Sequence, residues 1–179
     1  MEKLQPNALV LDIGSGRGLF GKHMADSGLR VIGIDFESGA VAKTNSHIKD
    51  WGLAGKLRFM EADALEIPFA DASFDGATDF GLMENLFTAD WSAYAEEVAR
   101  VLKPGGYYLN VSLSRETPKF MDFSPKASAD GDFEKYGVHY HFFTEEEMRQ
   151  IFGDACEIIS SEIIPTKDAY YRETLFRKK

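Results

Sequence analysis

The sequence predicts an α/β fold in which a doubly wound, mostly parallel sheet of seven strands is covered by helices. Short apolar runs alternate with segments whose apolar residues recur at helical spacing, a pattern typical of a parallel sheet. The last two apolar runs are joined by a link too short for a crossover, so they must pair antiparallel. The chain of 179 residues suits one domain, residues 1–179.

The first half of the chain repeats a strand and helix unit twice. Residues 8–13 (ALVLDI) are too few for a helix and precede a glycine cluster, which favours a strand buried on both faces. Residues 17–27 have helical apolar spacing and stop at Gly28. A second buried strand over 30–35 and a second helix over 37–51 follow.

Three further strands are predicted at residues 57–62, 74–80 and 107–113, with a helix over 89–102 before the last of them. Four large apolar residues near this helix have the spacing of one helical face. We expect them to be core residues: Met83, Phe87, Trp91 and Tyr94.

Regular periodicity fails between residues 114 and 140, a length that exceeds most connections and indicates a functional or disordered loop. We expect a cover over a site here, with simple disorder as the alternative. Thr144 and Glu147 then have the spacing of a capping box at a helix start, and two strands complete the chain.

The charge balance excludes a general nucleic-acid binder. Twenty basic against 29 acidic residues give a net charge of −9, which repels phosphate backbones, and we find no basic cleft. The single cysteine, Cys156, cannot form an intramolecular disulfide, and we expect it to pack on a late strand. With no signal-like start and no apolar stretch of bilayer length, we expect a cytoplasmic protein without a membrane segment.

The turn from Asp12 to Gly18 (DIGSGRG) is the strongest functional signal, because glycines between a strand and a helix let the backbone approach a ligand. An ordinary tight turn is the alternative. The spacing is GxGxG, and Leu19 stands where the dinucleotide fingerprint needs glycine, which disfavours a pyrophosphate. Asp35 ends the second strand, where a carboxylate can bind both hydroxyls of an unphosphorylated ribose.

At these positions the sequence resembles class I S-adenosylmethionine-dependent methyltransferases. Asp12 with the glycine turn matches their first motif, and Asp35 matches the acidic residue of the second. Asp63–Ala64 matches the acidic-small pair of the third, and residues 102–106 (LKPGG) match the turn before strand five. The resemblance implies a Rossmann-like sheet of order 3-2-1-4-5-7-6, with strand 7 antiparallel.

The resemblance also implies S-adenosyl-L-methionine as the cofactor. Gly14, Ser15 and Gly16 would border its methionine end, Asp12 its ammonium group, Asp35 its ribose, and Asp63 with Ala64 its adenine. The full set of cofactor-binding residues implied is Asp12, Gly14, Ser15, Gly16, Gly18, Asp35, Phe36, Asp63, Ala64, Asp79 and Phe80.

Three side chains are candidates for proton transfer in catalysis. Glu84 follows strand four and could act as a base, although such a residue is more often solvated or caps a helix. His139 and His141 are alternate residues of an extended segment, so both could face one cleft, or equally face solvent. No cysteine pair or carboxylate cluster has ligand spacing beside them, and the sequence predicts no metal site.

The sequence therefore predicts an enzyme that transfers a methyl group to a small-molecule nucleophile by in-line displacement, with a thiol or similar soft nucleophile as one candidate. The alternatives are a non-catalytic S-adenosylmethionine-binding regulatory module and a methyltransferase acting on a protein partner. Only about seven residues precede the first strand, whereas family members often carry cover helices there. The loop at 114–140, a second subunit in a homodimer, or a large substrate could close the site instead.

Overall fold

The central sheet consists of five parallel strands with an antiparallel pair at one edge. The computed structural model describes residues 3–123 and 127–179. The strands, in chain order, are β1 (Leu9–Ile13), β2 (Arg30–Asp35), β3 (Leu57–Glu61), β4 (Phe74–Phe80), β5 (Leu102–Leu113), β6 (Asp132–Lys135), β7 (Val138–His141), β8 (Cys156–Pro165) and β9 (Tyr170–Lys178).

The seven-stranded sheet has the order β3-β2-β1-β4-β5-β9-β8, and β9 runs antiparallel to both β5 and β8. The predicted order is confirmed, because β8 and β9 are the last two strands that the sequence predicts. The structure contains two strands that the sequence did not predict, β6 and β7, and they form a separate antiparallel pair.

Helices cover both faces of this sheet, which confirms the doubly wound architecture. They are α1 (Leu19–Asp26), α2 (Ser38–His47), α3 (Trp91–Val101) and α4 (Glu145–Phe152). One core cluster joins Met24 of α1 and Val41 of α2 to the sheet, and the other joins Tyr94 of α3 and Phe152 of α4 to the opposite face. At the start of α4 the predicted capping box is present: Thr144 Oγ1 accepts from the Glu147 amide at 3.2 Å, and Glu147 Oε2 accepts from the Thr144 amide at 2.7 Å.

The chain between β4 and α3 departs from the predicted helical face. Two 3₁₀ turns, Met83–Asn85 and Thr88–Asp90, precede the helix, and Phe87 between them is extended. Met83, Trp91 and Tyr94 are buried as predicted, but Phe87 is 63% exposed. The expectation that Phe87 is a core residue is therefore wrong, because the extended residue breaks the helical phase.

The segment from Ser114 to Tyr140 is not an irregular loop throughout, which corrects the sequence prediction. After a 3₁₀ turn at Phe120–Phe123, β6 and β7 form a hairpin in which Asp132 pairs with His141 and Lys135 with Val138. Two residues with positive φ, Tyr136 and Gly137, make the tight turn. Strands of four residues are too short for a period-two pattern to stand out. Residues 124–126 lie outside the described part of the chain.

The hairpin rests on its own apolar cluster, which includes Phe133, Phe142, Leu113 and Ala169. Cys156 is buried on β8, as expected of a packing residue. Within residues 3–123 and 127–179, no helix has both the length and the apolar character needed to cross a membrane.

Candidate functional site

A cleft with two lobes lies at the carboxyl ends of the parallel strands, and the lobes meet at Gly14. The first, here called the glycine lobe, measures about 510 Å³ and is lined by Asp12, Gly14, Ser15, Gly16, Arg17, Leu19, Phe20 and Phe80. The second, here called the hairpin lobe, measures about 560 Å³ and is lined by Gly14, Ile34, Asp35, Phe36, Ala62, Asp63, Ala64, Leu82, Asn85, Leu86, Phe87, Gly137, Val138 and His139.

The glycine turn connects β1 to α1 and packs closely against the sheet. The Ser15 amide donates to the Ile34 carbonyl at 2.9 Å. Gly18 caps α1 in the left-handed region at φ 68°, and a Cβ there would lie 2.5 Å from Cζ of Phe59 and closer still to Thr44. Gly18 does not line either lobe, and its place in the structure is that of a packing glycine beneath the turn.

Asp12 and Ser15 each bring a buried polar atom without a partner to the glycine lobe. Oδ1 of Asp12 accepts from Thr78 Oγ1 at 3.1 Å, whereas its Oδ2 and the Ser15 Oγ have no hydrogen-bond partner among the described residues. Burial raises the pKa of Asp12 to about 7, although the Thr78 hydrogen bond and the nearby Gly21 amide of α1 act against this. Burying two polar atoms without good hydrogen bonds costs free energy of folding. These two atoms therefore indicate a polar ligand in the glycine lobe.

Five predicted cofactor residues line the hairpin lobe: Gly14, which it shares with the glycine lobe, and Asp35, Phe36, Asp63 and Ala64. Asp35 holds the glycine turn, since its Oδ2 accepts from the Gly16 amide at 2.8 Å and its Oδ1 from the Glu37 amide at 3.0 Å. Oδ1 of Asp63 accepts from the Leu65 amide at 2.8 Å. Both carboxylates keep further lone pairs for a ligand.

Asp79 and Phe80 are neighbours with opposite placements. The Phe80 ring lines the glycine lobe beside Phe20, with 5.5 Å between ring centroids. The Asp79 carboxylate lies under the cleft and accepts from the Leu82 amide at 2.8 Å and the Tyr94 hydroxyl at 2.9 Å. Burial raises its pKa to about 6 against these hydrogen bonds. Its contacts fix the loop after β4, and the structure does not bring it to the cleft wall.

Glu84 is not the solvated loop residue of the alternative interpretation. It is only 7% exposed, and its Oε2 accepts from the Leu113 amide at 2.6 Å. Burial raises its pKa to about 8, while the Leu113 hydrogen bond lowers it. Glu84 thereby connects the loop after β4 to the end of β5, and it lines neither lobe.

The two histidines of β7 differ, although both approach Asp132. His139 lines the hairpin lobe, and its ring stacks on Phe87 with 4.9 Å between centroids. His141 is 2% exposed because Trp91 and Phe143 cover it, which excludes the solvent-facing alternative for this residue. The structure therefore brings only His139 to the cleft.

Several cleft residues were not predicted from the sequence: Arg17, Leu19, Phe20, Leu82, Asn85, Leu86, Phe87 and Val138. The sequence signal for Arg17 was its place between two motif glycines. Phe20 falls in the helix predicted over 17–27, and Phe87 had been interpreted as a core residue. Among the described residues, no group of three or more His, Cys, Asp or Glu side chains is placed to hold a metal ion.

Known proteins match this chain in sequence and in fold. A family model described as a methyltransferase domain matches residues 10–106. A demethylmenaquinone methyltransferase from Beutenbergia cavernae is 37% identical over 120 residues, which are 66% of this chain and 45% of that relative. The chain spans about half, or less, of the length of the first curated relatives that it matches.

Two solved structures share the fold over nearly the whole chain. A SAM-dependent methyltransferase from Methanosarcina mazei has a TM-score of 0.86 at 26% identity, covering 99% of this chain and 95% of that one. The 1,6-didemethyltoxoflavin-N1-methyltransferase from Burkholderia thailandensis, solved with 1,6-didemethyltoxoflavin and S-adenosylhomocysteine, has a TM-score of 0.78 at 23% identity, covering 97% and 72%. Because the family model, a close fold and the glycine turn agree, the chain belongs to the class I S-adenosylmethionine-dependent methyltransferase family.

Proposed function

We propose that this protein transfers a methyl group from S-adenosylmethionine to a small-molecule nucleophile. The observation that carries the proposal is the buried Ser15 Oγ, which has no hydrogen-bond partner among the described residues, together with the buried Asp12 Oδ2, which has only the Gly21 backbone of α1 near it there. The methionine end of the cofactor offers an ammonium group, which both oxygens can accept from.

The residues present fit the cofactor across both lobes. The methionine end would lie along Gly14, Ser15 and Gly16, and the ribose and adenine would lie on the side of the hairpin lobe that Asp35 and Asp63 form. The opposite wall, at Phe87 and His139, is then left to the methyl acceptor. When bound, S-adenosylmethionine supplies a methyl group that is already activated on a sulfonium. The protein then has to orient an acceptor in line with that methyl group and to exclude water.

Exposed apolar side chains around the cleft support a small acceptor with apolar surface. Of the large apolar residues that are exposed, five line the two lobes: Leu19, Phe36, Phe80, Phe87 and Val138. A contiguous exposed apolar surface is typical of a binding site. The relatives act on small molecules by name, demethylmenaquinone in one case and 1,6-didemethyltoxoflavin in another.

We further infer that the segment 114–140 covers this site, with the β6–β7 hairpin as the part that lines it. Asn85 Nδ2 donates to the His139 carbonyl at 2.9 Å, and Val138 and His139 form one wall of the hairpin lobe. In this proposal residues 1–179 act as one methyltransferase domain.

Titration calorimetry with S-adenosylmethionine, S-adenosylhomocysteine and NAD tests the cofactor. We expect saturable binding of the first two and none of NAD, because the turn spacing and Asp35 suit a ribose without a pyrophosphate. NAD binding tighter than S-adenosylmethionine binding would contradict the proposal. Transfer of labelled methyl groups to a panel of thiols, phenols, amines and carboxylates then tests the enzyme activity, and cofactor binding without transfer would favour a regulatory module.

A further inference from the structure

We infer that His139 accepts the proton of the methyl acceptor and that Asp132 positions His139 for this step. The acceptor is accordingly a protic nucleophile, such as a phenol, a thiol or an amine that carries a hydrogen on the attacked atom. This inference rests on the proposed methyl transfer, and it assigns the base and the acceptor class that the proposed function leaves open.

His139 is held from two sides within the hairpin lobe. Its ring stacks on Phe87 at an interplanar angle of 29°, and its carbonyl accepts from Asn85. Phe87 and Asn85 both belong to the chain that follows β4, where the acceptor must meet the cofactor. The imidazole is therefore fixed at the wall of the site before any ligand binds, as a proton acceptor requires.

A carboxylate lies behind the imidazole. Nε2 of His139 is shielded from solvent, makes no hydrogen bond to any residue that the structure describes, and lies 3.6 Å from Oδ1 of Asp132. Small movements bring these atoms to hydrogen-bond distance, and Asp132 then stabilises the imidazolium that forms when Nδ1 takes a proton. Nδ1 makes no hydrogen bond to any described residue and stays available to the acceptor.

Asp132 is itself fixed by the second histidine. Oδ1 of Asp132 lies 2.7 Å from Nδ1 of His141, and Nε2 of His141 lies 3.3 Å from Oε1 of Glu147. The Arg115 guanidinium faces the same pair, 2.9 Å from Glu147 and 3.5 Å from His141 Nε2. His141 therefore acts as a positioning residue behind Asp132.

The step balances as follows. The heteroatom of the acceptor forms a bond to the methyl carbon while the bond from that carbon to sulfur breaks, and the electron pair of the broken bond remains on sulfur as a neutral thioether. The proton of the acceptor passes to Nδ1 of His139, and the imidazolium later releases it to solvent.

Two probe acceptors separate proton removal from other roles: 4-methoxyphenol, which is protonated at neutral pH, and 4-nitrothiophenol, which is already ionised. We expect His139→Gln to lower transfer to 4-methoxyphenol at least about 100-fold and transfer to 4-nitrothiophenol less than about fivefold. Asp132→Asn should lower transfer to 4-methoxyphenol about tenfold. The rise of kcat/KM with pH for this phenol should be lost in His139→Gln. The controls are His23→Gln on an exposed face of α1 and Asp130→Asn beside the hairpin.

Equal losses of transfer to both probes would overturn the inference, because a structural role of His139 affects both acceptors alike. It would also be overturned by parent rates in His139→Gln, or by failure to methylate any phenol, thiol or amine while S-adenosylmethionine binds. Calorimetry on each variant keeps the two proposals apart. Loss of cofactor binding in the parent chain would contradict the proposed function, whereas the outcomes above with binding intact contradict only the assignment of His139 and Asp132.

Discussion

The glycine turn (residues 12–18) and the β6–β7 hairpin (residues 132–141) border the same cleft but are held by different interactions. The turn is held by backbone bonds and close packing, such as the Gly16 amide on Asp35 and Gly18 against Phe59. The hairpin is held by a chain of polar side-chain contacts: Asp132 contacts His141 within the hairpin, His141 contacts Glu147 of α4, and Glu147 pairs with Arg115. The turn side of the cleft thus depends on backbone geometry, and the hairpin side depends on polar side-chain contacts.

We expect the largest effect on stability from a substitution at Gly18 in the glycine turn. Gly18→Ala adds a Cβ at φ 68° that overlaps Phe59 and Thr44, so we expect a loss of about 2 to 5 kcal/mol in the free energy of unfolding. Gly52→Ala is the matched control, because Gly52 has φ 69° and open space around it, and should cost about 1 kcal/mol. Urea unfolding measures both. Equal losses in the two variants would show that the close packing beneath the turn is unimportant.

A second test concerns Glu84. Its carboxylate accepts a hydrogen bond from Leu113 and so connects the chain after β4 to the end of β5. In the folded chain the pKa of Glu84 is about 8, above its ordinary value of 4.5. Between pH 4.5 and about pH 8 the folded chain therefore keeps a proton on Glu84 that the unfolded chain has released. Stability therefore falls as pH rises through this range. Glu84→Gln should remove this fall and stabilise the protein at pH 9 by up to about 4 kcal/mol.

Urea unfolding of the parent and Glu84→Gln at pH 5, 7 and 9 measures the difference. Asp12 has a raised pKa in both proteins, so its contribution cancels in the comparison. Asp79 is coupled by charge to Glu84, so the measured difference includes the change at Asp79. Parallel curves of stability against pH would mean that Glu84 does not carry the dependence.

A substitution at Asp35 tests the glycine-turn side of the cleft directly. Asp35→Ala removes an acceptor of the Gly16 and Glu37 amides and the proposed ribose contact, so we expect S-adenosylmethionine binding to weaken by about 1 to 3 kcal/mol. Titration calorimetry checks this value. Glu61→Ala, an exposed carboxylate at the end of β3, is the control. An affinity of Asp35→Ala within twofold of the parent would exclude Asp35 as the ribose ligand.

The smallest effect should come from loosening the hairpin. Arg115→Met removes a half-buried guanidinium bound to Glu147, and we expect local opening of β6 and β7 to become easier by about 1 kcal/mol. Hydrogen exchange of the hairpin amides measures this. Arg149→Met removes an exposed pair with Glu145 on α4 and should leave the hairpin amides unchanged. If both variants exchange alike, charge does not hold the hairpin.

The sequence determined the parts of this protein that depend on neighbours along the chain. The capping box at Thr144 results from contacts within a few residues, and the buried strands and the GxGxG turn show as short apolar runs and a glycine spacing, so all three appear in the sequence. The strand order followed from the resemblance, since the motifs that carry it lie at the ends of the strands.

Only the tertiary structure decided which side chains reach the cleft. Asp79 and Phe80 are adjacent in sequence, yet one lies beneath the cleft and the other lines it. His139 and His141 both approach Asp132, but Trp91, from another part of the chain, covers the second. Burial and ion pairing depend on groups brought together by folding over tens of residues, and the spacing of residues along the chain carries no record of them.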